Sequence, residues 1–200
     1  RAGPFHSQSL EVIFSHIPGL KVVYPSNPED AKGLLCEAIR DPNPVIFFEH
    51  KLLYRSTKQE IYDDYFNIEI GKARAICEGS DISVITYGLG VRWAEELQKN
   101  NPDISFYILD LRTLLPFDKL AILEAVQATN RVIVLTESTL SYGISAEIAA
   151  FISEACFEFL DAPVMRVASL DTPIPFAAAL EDQFLPVDRL QEALENLLSY

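Results

Sequence analysis

Three histidines are the side chains of this sequence best suited to moving protons near neutral pH. His6 follows a Gly-Pro pair in a predicted loop ahead of a helix that Ser7 is expected to cap, and such loops often carry function. The residues alone leave His6 as either a surface side chain or a proton donor and acceptor. His16 lies near a predicted helix end, where a cation is favourable, and His50 follows an apolar run, so we predict structural roles for both.

An oxygen-rich turn is the second candidate for chemistry. The sequence DPNP at residues 41–44 ends a helical pattern, because proline cannot continue a helix and restricts the residue before it. Carbonyl and carboxamide oxygens at this helix end come from Ala38, Ile39, Asp41 and Asn43. Such oxygens suit a hard cation. A simple capped turn is the alternative, and the residues alone do not decide between the two.

Two further patterns are weaker candidates. Gly88 and Gly90 follow a predicted strand and open a helix, as a phosphate-binding loop does, but the third glycine of the dinucleotide fingerprint is missing. A tight turn needed for packing is the alternative. Glu137 and Glu147 could pair for acid–base work, although acids at a strand end and on a helix are usually solvated. The sequence shows no P-loop, no Ser-His-Asp order and no metal-ligand spacing.

Charge and composition exclude several classes of function. The net charge is −13, and residues 79–200 carry 18 acidic and 7 basic side chains, a net of −11. This balance argues against nucleic-acid binding, which needs Lys and Arg to neutralise phosphates, and it indicates either a solvated surface or a docking face for a basic partner. No apolar run approaches the roughly 18 residues of a membrane span, and no signal peptide is visible. Three scattered cysteines (Cys36, Cys77, Cys156) favour a reducing compartment.

Strand and helix patterns alternate along the chain and predict a mostly parallel α/β sheet with helices on both faces. Strands at residues 20–24 and 45–48 flank a helix that Asn27 caps and Pro28 begins. Two strands do not form a stable sheet, so we expect this unit to be the tail of a larger parallel α/β domain whose beginning is absent. Arg1 is not an initiator residue, which also suggests a longer parent.

The apolar pattern stops after Arg55 and resumes about ten residues later. We therefore predict that residues 1–55 end a first domain, that residues 56–69 are a charged connector, and that residues 70–200 form a second domain.

Several stretches resemble one enzyme family. GPFHSQS, HIPGLKVVYPS, DAKGLL and IRDPNPVIFFE look like the beta-type half of the thiamine diphosphate-dependent 2-oxoacid dehydrogenases (residues 3–9, 16–26, 30–35 and 39–49). DLRTLLP and LDTPIP look like the transketolase-type C-terminal domain of the same subunit (residues 110–116 and 170–175). The wording of residues 41–55 is most similar to the branched-chain 2-oxoisovalerate type, with pyruvate dehydrogenase second. Transketolase and deoxyxylulose-phosphate synthase are less similar in these stretches.

The resemblance implies a fold and a set of site residues. The first domain would be the tail of the pyrimidine-binding domain, and the second would be a three-layer α/β/α domain around a mixed five-stranded sheet, whose first strand (residues 70–77) is antiparallel at one edge. His6 would be the active-site histidine that helps to protonate and position the acyl intermediate during transfer to lipoamide. Ala38, Ile39, Asp41 and Asn43 would form a structural potassium site.

The resemblance also implies cofactors and partners. Thiamine diphosphate with magnesium would be bound mainly by missing parts, including the activating glutamate and the pyrophosphate motif, so the fragment alone is not expected to decarboxylate. Expected partners are an alpha-type subunit or fused half, the subunit-binding domain of a dihydrolipoyl acyltransferase, and further copies in a homodimer or heterotetramer. The location would be the cytoplasm, or the mitochondrial matrix in a eukaryote. An assembly module without catalysis is the alternative. Where the family has Gly-Gly, residues 141–143 keep one glycine.

Overall fold

The computed structural model describes residues 3–200, and two β-sheets lie within that range. The strands are β1 (Lys21–Val23), β2 (Val45–Phe47), β3 (Arg74–Cys77), β4 (Ile82–Thr86), β5 (Phe106–Asp110), β6 (Thr113–Leu115), β7 (Val132–Thr139) and β8 (Met165–Ser169). The helices are α1 (Gly3–His6), α2 (Glu11–Ser15), α3 (Pro28–Arg40), α4 (Leu53–Ser56), α5 (Leu89–Asn100), α6 (Lys119–Thr129), α7 (Ile144–Ala155), α8 (Ala178–Phe184) and α9 (Val187–Leu198).

The larger sheet has the strand order β3-β5-β4-β7-β8. Strands β4, β5, β7 and β8 run parallel, whereas β3 pairs antiparallel with β5 at one edge. Alternate residues point to opposite faces, so Ile85 packs on the face covered by α6 and α7, and Val84 packs on the face covered by α5 and α9. The predicted mixed five-stranded sheet between two helix layers is therefore confirmed.

The smaller sheet has the order β2-β1-β6 and combines two strands from the first part of the chain with β6 from its middle. β1 and β2 pair parallel, as the sequence predicted for the first strand–helix–strand unit. β6 pairs antiparallel with β1, and the Tyr24 N–H donates to the Arg112 carbonyl at 2.7 Å. The sequence predicted no strand in residues 113–115. This short strand joins the first part of the chain to the second.

Local signals explain the helix that connects β1 and β2. The Asn27 side chain accepts a hydrogen bond from the Asp30 N–H at 2.9 Å, and Pro28 occupies the first turn of α3, where a missing N–H costs nothing. The helix ends at Arg40, immediately before the DPNP turn. The cap, the first-turn proline and the position of the stop all agree with the sequence prediction.

The connector between β2 and β3 lies along α3. The Ile68 N–H donates to the Gly33 carbonyl at 3.1 Å, and the Lys32 ammonium donates to the Asp64 carbonyl at 2.9 Å. A Cβ atom on Gly33 would lie 2.6 Å from a side-chain carbon of Ile68, so only glycine permits this close approach. The charged connector is thus tied to the first unit by backbone contacts that its composition does not reveal.

Candidate functional site

His6 ends the four-residue helix α1 and is exposed to solvent. Its imidazole makes no hydrogen bond to any other part of the chain that the structure describes, and the adjacent Phe5 side chain is 81% exposed. The Ser7 N–H donates to the Gly3 carbonyl at 3.2 Å and closes the single turn of α1. The predicted cap at Ser7 is therefore wrong, since the next helix begins at Glu11 with Leu10 in the N-cap position.

The helix after His6 is anchored by a buried carboxyl group. Glu11 is 1% exposed, and its Oε1 accepts a hydrogen bond from the Tyr87 hydroxyl at 2.5 Å. Its Oε2 has no hydrogen-bond partner among residues 3–200. Burial raises the pKa of the Glu11 carboxyl, and the Tyr87 hydrogen bond opposes that shift. Sequence reasoning missed this contact, because an acid beside an apolar helical stripe gives no sign of a partner 76 residues away.

His50 and Glu137 form a second contact, which joins the first part of the chain to β7. The His50 Nε2 lies 2.9 Å from a Glu137 carboxylate oxygen, and the His50 Nδ1 accepts a hydrogen bond from the Leu52 N–H at 3.2 Å. Because Nδ1 is the acceptor, the proton on Nε2 donates to Glu137. Glu137 thus contacts His50, whereas Glu147 is exposed on α7. The contact of Glu137 with His50 gives no support to the pairing of Glu137 with Glu147 for acid–base work. The structural role predicted for His50 agrees with this arrangement.

A polar cluster lies where the two sheets meet. Asp110 is fully buried and accepts hydrogen bonds from the Ser26 hydroxyl and from the Arg112 N–H at 3.0 Å. Burial raises the pKa of the Asp110 carboxyl to about 7. The Arg112 guanidinium bonds the buried Asp30 carboxylate at 3.0 Å and the Ala73 carbonyl at 3.0 Å. One arginine side chain therefore connects α3 with the segment leading into β3.

The glycine pair after β4 serves packing. Gly88 has a φ of +54°, and a Cβ atom there would lie 3.0 Å from the Tyr24 ring. A Cβ atom on Gly90 would lie 2.0 Å from the Thr86 hydroxyl oxygen. Side chains of the protein itself thus fill the space over this turn, which favours the packing interpretation over phosphate binding.

The end of α3 leaves backbone carbonyls without helical donors. In a helix, the carbonyl of one residue accepts from the N–H four residues later. Pro42 and Pro44 have no N–H, so the carbonyls of Ala38 and Arg40 cannot receive these bonds. Both carbonyls are thus left for another partner.

The remaining donor of this turn is also diverted. The Asn43 N–H donates to the Asp41 carboxylate at 2.9 Å and not to the Ile39 carbonyl. The Lys21 ammonium binds the other Asp41 oxygen and, with Asn43, holds the pKa of Asp41 below its ordinary value. Since Lys21 already neutralises the carboxylate, the turn fits a cation held by neutral carbonyl and carboxamide oxygens. Residues 3–200 contain no cluster of three or more His, Cys, Asp or Glu side chains suited to a metal ion.

Comparisons with known proteins match both parts of the chain. Residues 1–57 match the family described as the transketolase pyrimidine binding domain, and residues 71–189 match the family described as the transketolase C-terminal domain. The 2-oxoisovalerate dehydrogenase subunit beta of Bacillus subtilis (strain 168) is 48% identical over 202 residues, which are 98% of this chain and 61% of that protein. The pyruvate dehydrogenase E1 component subunit beta of the same organism is 46% identical over 185 residues, which are 90% of this chain and 56% of that protein.

A solved structure supports the fold. It is described as a split gene transketolase, an inactive beta4 tetramer, and it matches 98% of this chain and 63% of its own with a TM-score of 0.77 at 20% identity. The chain spans about 60% of the length of the curated relatives that it matches. Within residues 3–200, no helix combines the length and the apolar character needed to cross a lipid bilayer.

Proposed function

We propose, from the premise that this chain belongs to the family of the transketolase C-terminal domain, that it is part of the beta-type subunit of a 2-oxoacid dehydrogenase. The parent enzyme would carry out thiamine-dependent oxidative decarboxylation of a branched-chain 2-oxoacid and reductive acylation of lipoamide. The observation that carries this proposal is the exposed His6 imidazole, which has no partner within residues 3–200 and lies in the segment similar to the beta-type subunits.

His6 would act during acyl transfer. An exposed, unpaired imidazole near neutral pH can give a proton to an oxygen or accept one from a thiol. Thiamine diphosphate, bound with magnesium mainly by other parts of the enzyme, would supply the nucleophilic carbon and the electron sink. His6 would orient the acyl group as it bonds to one sulfur of lipoamide, and would give its ring proton to the other sulfur, which leaves when the lipoamide disulfide bond opens.

The test compares two assays on the complete enzyme with its alpha-type partner. We expect His6→Ala to lower acyl transfer to lipoamide by about 10²- to 10⁴-fold, the range typical of a lost general acid or base. Reduction of an artificial electron acceptor, which needs no lipoamide, should fall less. His16→Ala is the matched control, because His16 is also exposed in the same part of the chain. If His6→Ala transfers the acyl group at the wild-type rate, His6 has no role in the transfer. That result is the one expected of an assembly module without catalysis.

We propose further that potassium binds at the carbonyls of Ala38 and Ile39 with Asp41 and Asn43. Support comes from the missing N–H groups of the DPNP turn and from the position of the turn at a helix C-terminus, where the dipole favours a cation.

A backbone substitution tests the potassium site. Potassium should raise the melting temperature of the complete enzyme by about 3 °C more than sodium does, at a concentration well above its dissociation constant. Pro42→Ala restores an N–H that can satisfy the Ala38 carbonyl, so we expect it to reduce this difference. Pro102→Ala, at an exposed turn, is the control. Equal melting curves in the two salts would eliminate the site.

The acidic second domain would dock the basic subunit-binding domain of the acyltransferase, in addition to pairing with an alpha-type subunit in a heterotetramer. The net charge of −11 on residues 79–200 supports this complementarity. Titration calorimetry with the purified subunit-binding domain should show an affinity that weakens by about tenfold or more between 50 and 500 mM salt. An affinity independent of salt would contradict an electrostatic docking face.

Pyruvate dehydrogenase is the second candidate, since its beta subunit is nearly as similar as the branched-chain relative. The two candidates differ in substrate. The ratio of kcat/KM for 2-oxoisovalerate to that for pyruvate, measured on the complete enzyme, separates them.

A further inference from the structure

The segment that carries His6 is contacted from the second part of the chain at two points. Behind His6, the Glu11 carboxyl bonds the Tyr87 hydroxyl, which belongs to the turn after β4. Ahead of His6, Gly3 lies against the ring of Phe176, which belongs to the loop after β8. These contacts flank the histidine on both sides along the chain.

The Tyr87 contact is rigid because of its surroundings. Tyr87 is 3% exposed, and its ring lies 5.4 Å from the Tyr24 ring, which stacks on Phe48 at 5.4 Å. Phe48 in turn meets Phe14 of α2 edge to face at 5.8 Å. A buried hydrogen bond to Glu11 and a row of aromatic rings therefore fix α2, which follows His6, against the five-stranded sheet.

The Phe176 contact depends on glycine. Gly3 has a φ of +67°, and a Cβ atom built there would lie 2.4 Å from the Phe176 ring. The ring therefore lies directly over the backbone of α1. The base of the Phe176 loop is fixed, because Asp171 accepts hydrogen bonds from the Ser141 N–H at 2.8 Å and the Ser141 hydroxyl at 2.6 Å. A largely exposed aromatic ring is thus held by an anchored loop against the helix that carries His6.

We propose that Tyr87 and Phe176 are positioning residues for His6, so that the second domain sets the orientation of the imidazole during acyl transfer. This inference rests on the proposed role of His6 and extends it, because it gives the second domain a part in the reaction beyond subunit assembly. Neither residue needs to touch the substrate. Both act by limiting the motion of a short exposed segment, and a small misplacement of a catalytic group costs much of its effect.

The experiment uses the complete enzyme and compares acyl transfer to a lipoyl domain with reduction of an artificial electron acceptor. We expect Tyr87→Phe and Phe176→Leu each to lower the ratio of acyl transfer to acceptor reduction by about tenfold, with most of the loss in kcat. Phe176→Tyr keeps the ring and should restore the ratio. Phe157→Leu, at a similarly exposed phenylalanine, is the control and should leave the ratio unchanged.

A double-mutant test separates positioning from general destabilisation. Added to His6→Ala, neither Tyr87→Phe nor Phe176→Leu should reduce acyl transfer further, because the group that they position is already gone. A purely structural role would instead lower both assays equally and add to the effect of His6→Ala. If Tyr87→Phe does not fold, the pair Glu11→Leu with Tyr87→Phe leaves no buried carboxyl unpaired and replaces it.

The two proposals fail in different ways. Wild-type acyl transfer in His6→Ala would overturn the proposed role of the histidine. A large loss in His6→Ala together with an unchanged ratio in Tyr87→Phe and Phe176→Leu would overturn the positioning role alone.

Discussion

The two sheets differ in how completely they are covered. In the five-stranded sheet, the central strands β4 and β5 are buried at every residue, with helices on both faces. In the three-stranded sheet, the central β1 is fully buried only at Val22 and Val23, every residue of β2 is half-buried, and Ile39 on the neighbouring helix is 76% exposed. The candidate site residues His6, Ala38, Ile39, Asp41 and Asn43 lie in the part of the chain that supplies β1 and β2 of the smaller sheet. Because two of its strands are buried at every residue, we expect the larger sheet to contribute more of the stability than the smaller one.

The largest expected effect is in the core of the larger sheet. Leu135 is fully buried, so Leu135→Ala should lower the free energy of unfolding by about 3 to 5 kcal/mol through lost contacts and a cavity. Ile39→Ala should cost less than about 0.5 kcal/mol, because that side chain is exposed. Urea denaturation measures both. Similar losses in the two variants would contradict the expected difference in stability between the two parts of the chain.

The next largest effect is the pH dependence of stability that comes from Asp110, which is buried where the two sheets meet. The pKa of Asp110 is about 7 in the folded protein against an ordinary 3.8, so between these values the native state holds a proton that the unfolded state has released. The free energy of unfolding should therefore fall as pH rises from about 4 to 7, by up to about 4 kcal/mol. Asp110→Asn should lose this dependence. If the difference in free energy of unfolding between the wild type and Asp110→Asn does not change between about pH 4 and 7, the raised pKa of Asp110 is ruled out.

Removal of the Arg112 side chain, which links α3 to the segment before β3, should have the next largest effect on stability. Arg112→Ala leaves the Asp30 carboxylate buried without its closest cation, and we expect it to cost about 3 kcal/mol. Arg55→Ala is the control, because the Arg55 side chain is exposed and forms no ion pair within residues 3–200, so its loss should cost well under about 1 kcal/mol. Thermal unfolding of both variants distinguishes them, and equal melting temperatures would argue against a buried connection.

The smallest effect is at the turn after β7. Tyr142 is 93% exposed and has a φ of +57°, a conformation that glycine adopts without strain. Tyr142→Gly should raise the free energy of unfolding by about 0.5 kcal/mol, because the relief of backbone strain slightly exceeds the cost of ordering a more flexible glycine on folding. Tyr142→Ala keeps the strain and should not stabilise the protein. Calorimetric scans of the two variants compare them.

Patterns with local causes were predictable from the sequence. The Asn27 cap, the first-turn Pro28 and the DPNP stop act within a few residues, and the alternation of strands and helices indicates the larger sheet. Contacts between distant residues were not predictable. β6 has three residues and pairs with a strand about 90 positions earlier, and Glu11 meets Tyr87, so neither leaves a periodic signal. His6 was proposed from its motif, whereas the contacts of Gly3 and Glu11 on either side of it are visible only in the folded structure.

The pairing of β6 with β1 has a practical consequence for anyone who divides this protein. A truncated version beginning at residue 70 would keep β6 but lose β1, leaving a row of backbone donors and acceptors without neighbours. We expect such a truncation to self-associate through the unpaired edge of β6. A truncation that retains β1 would keep this edge paired and should not associate in this way.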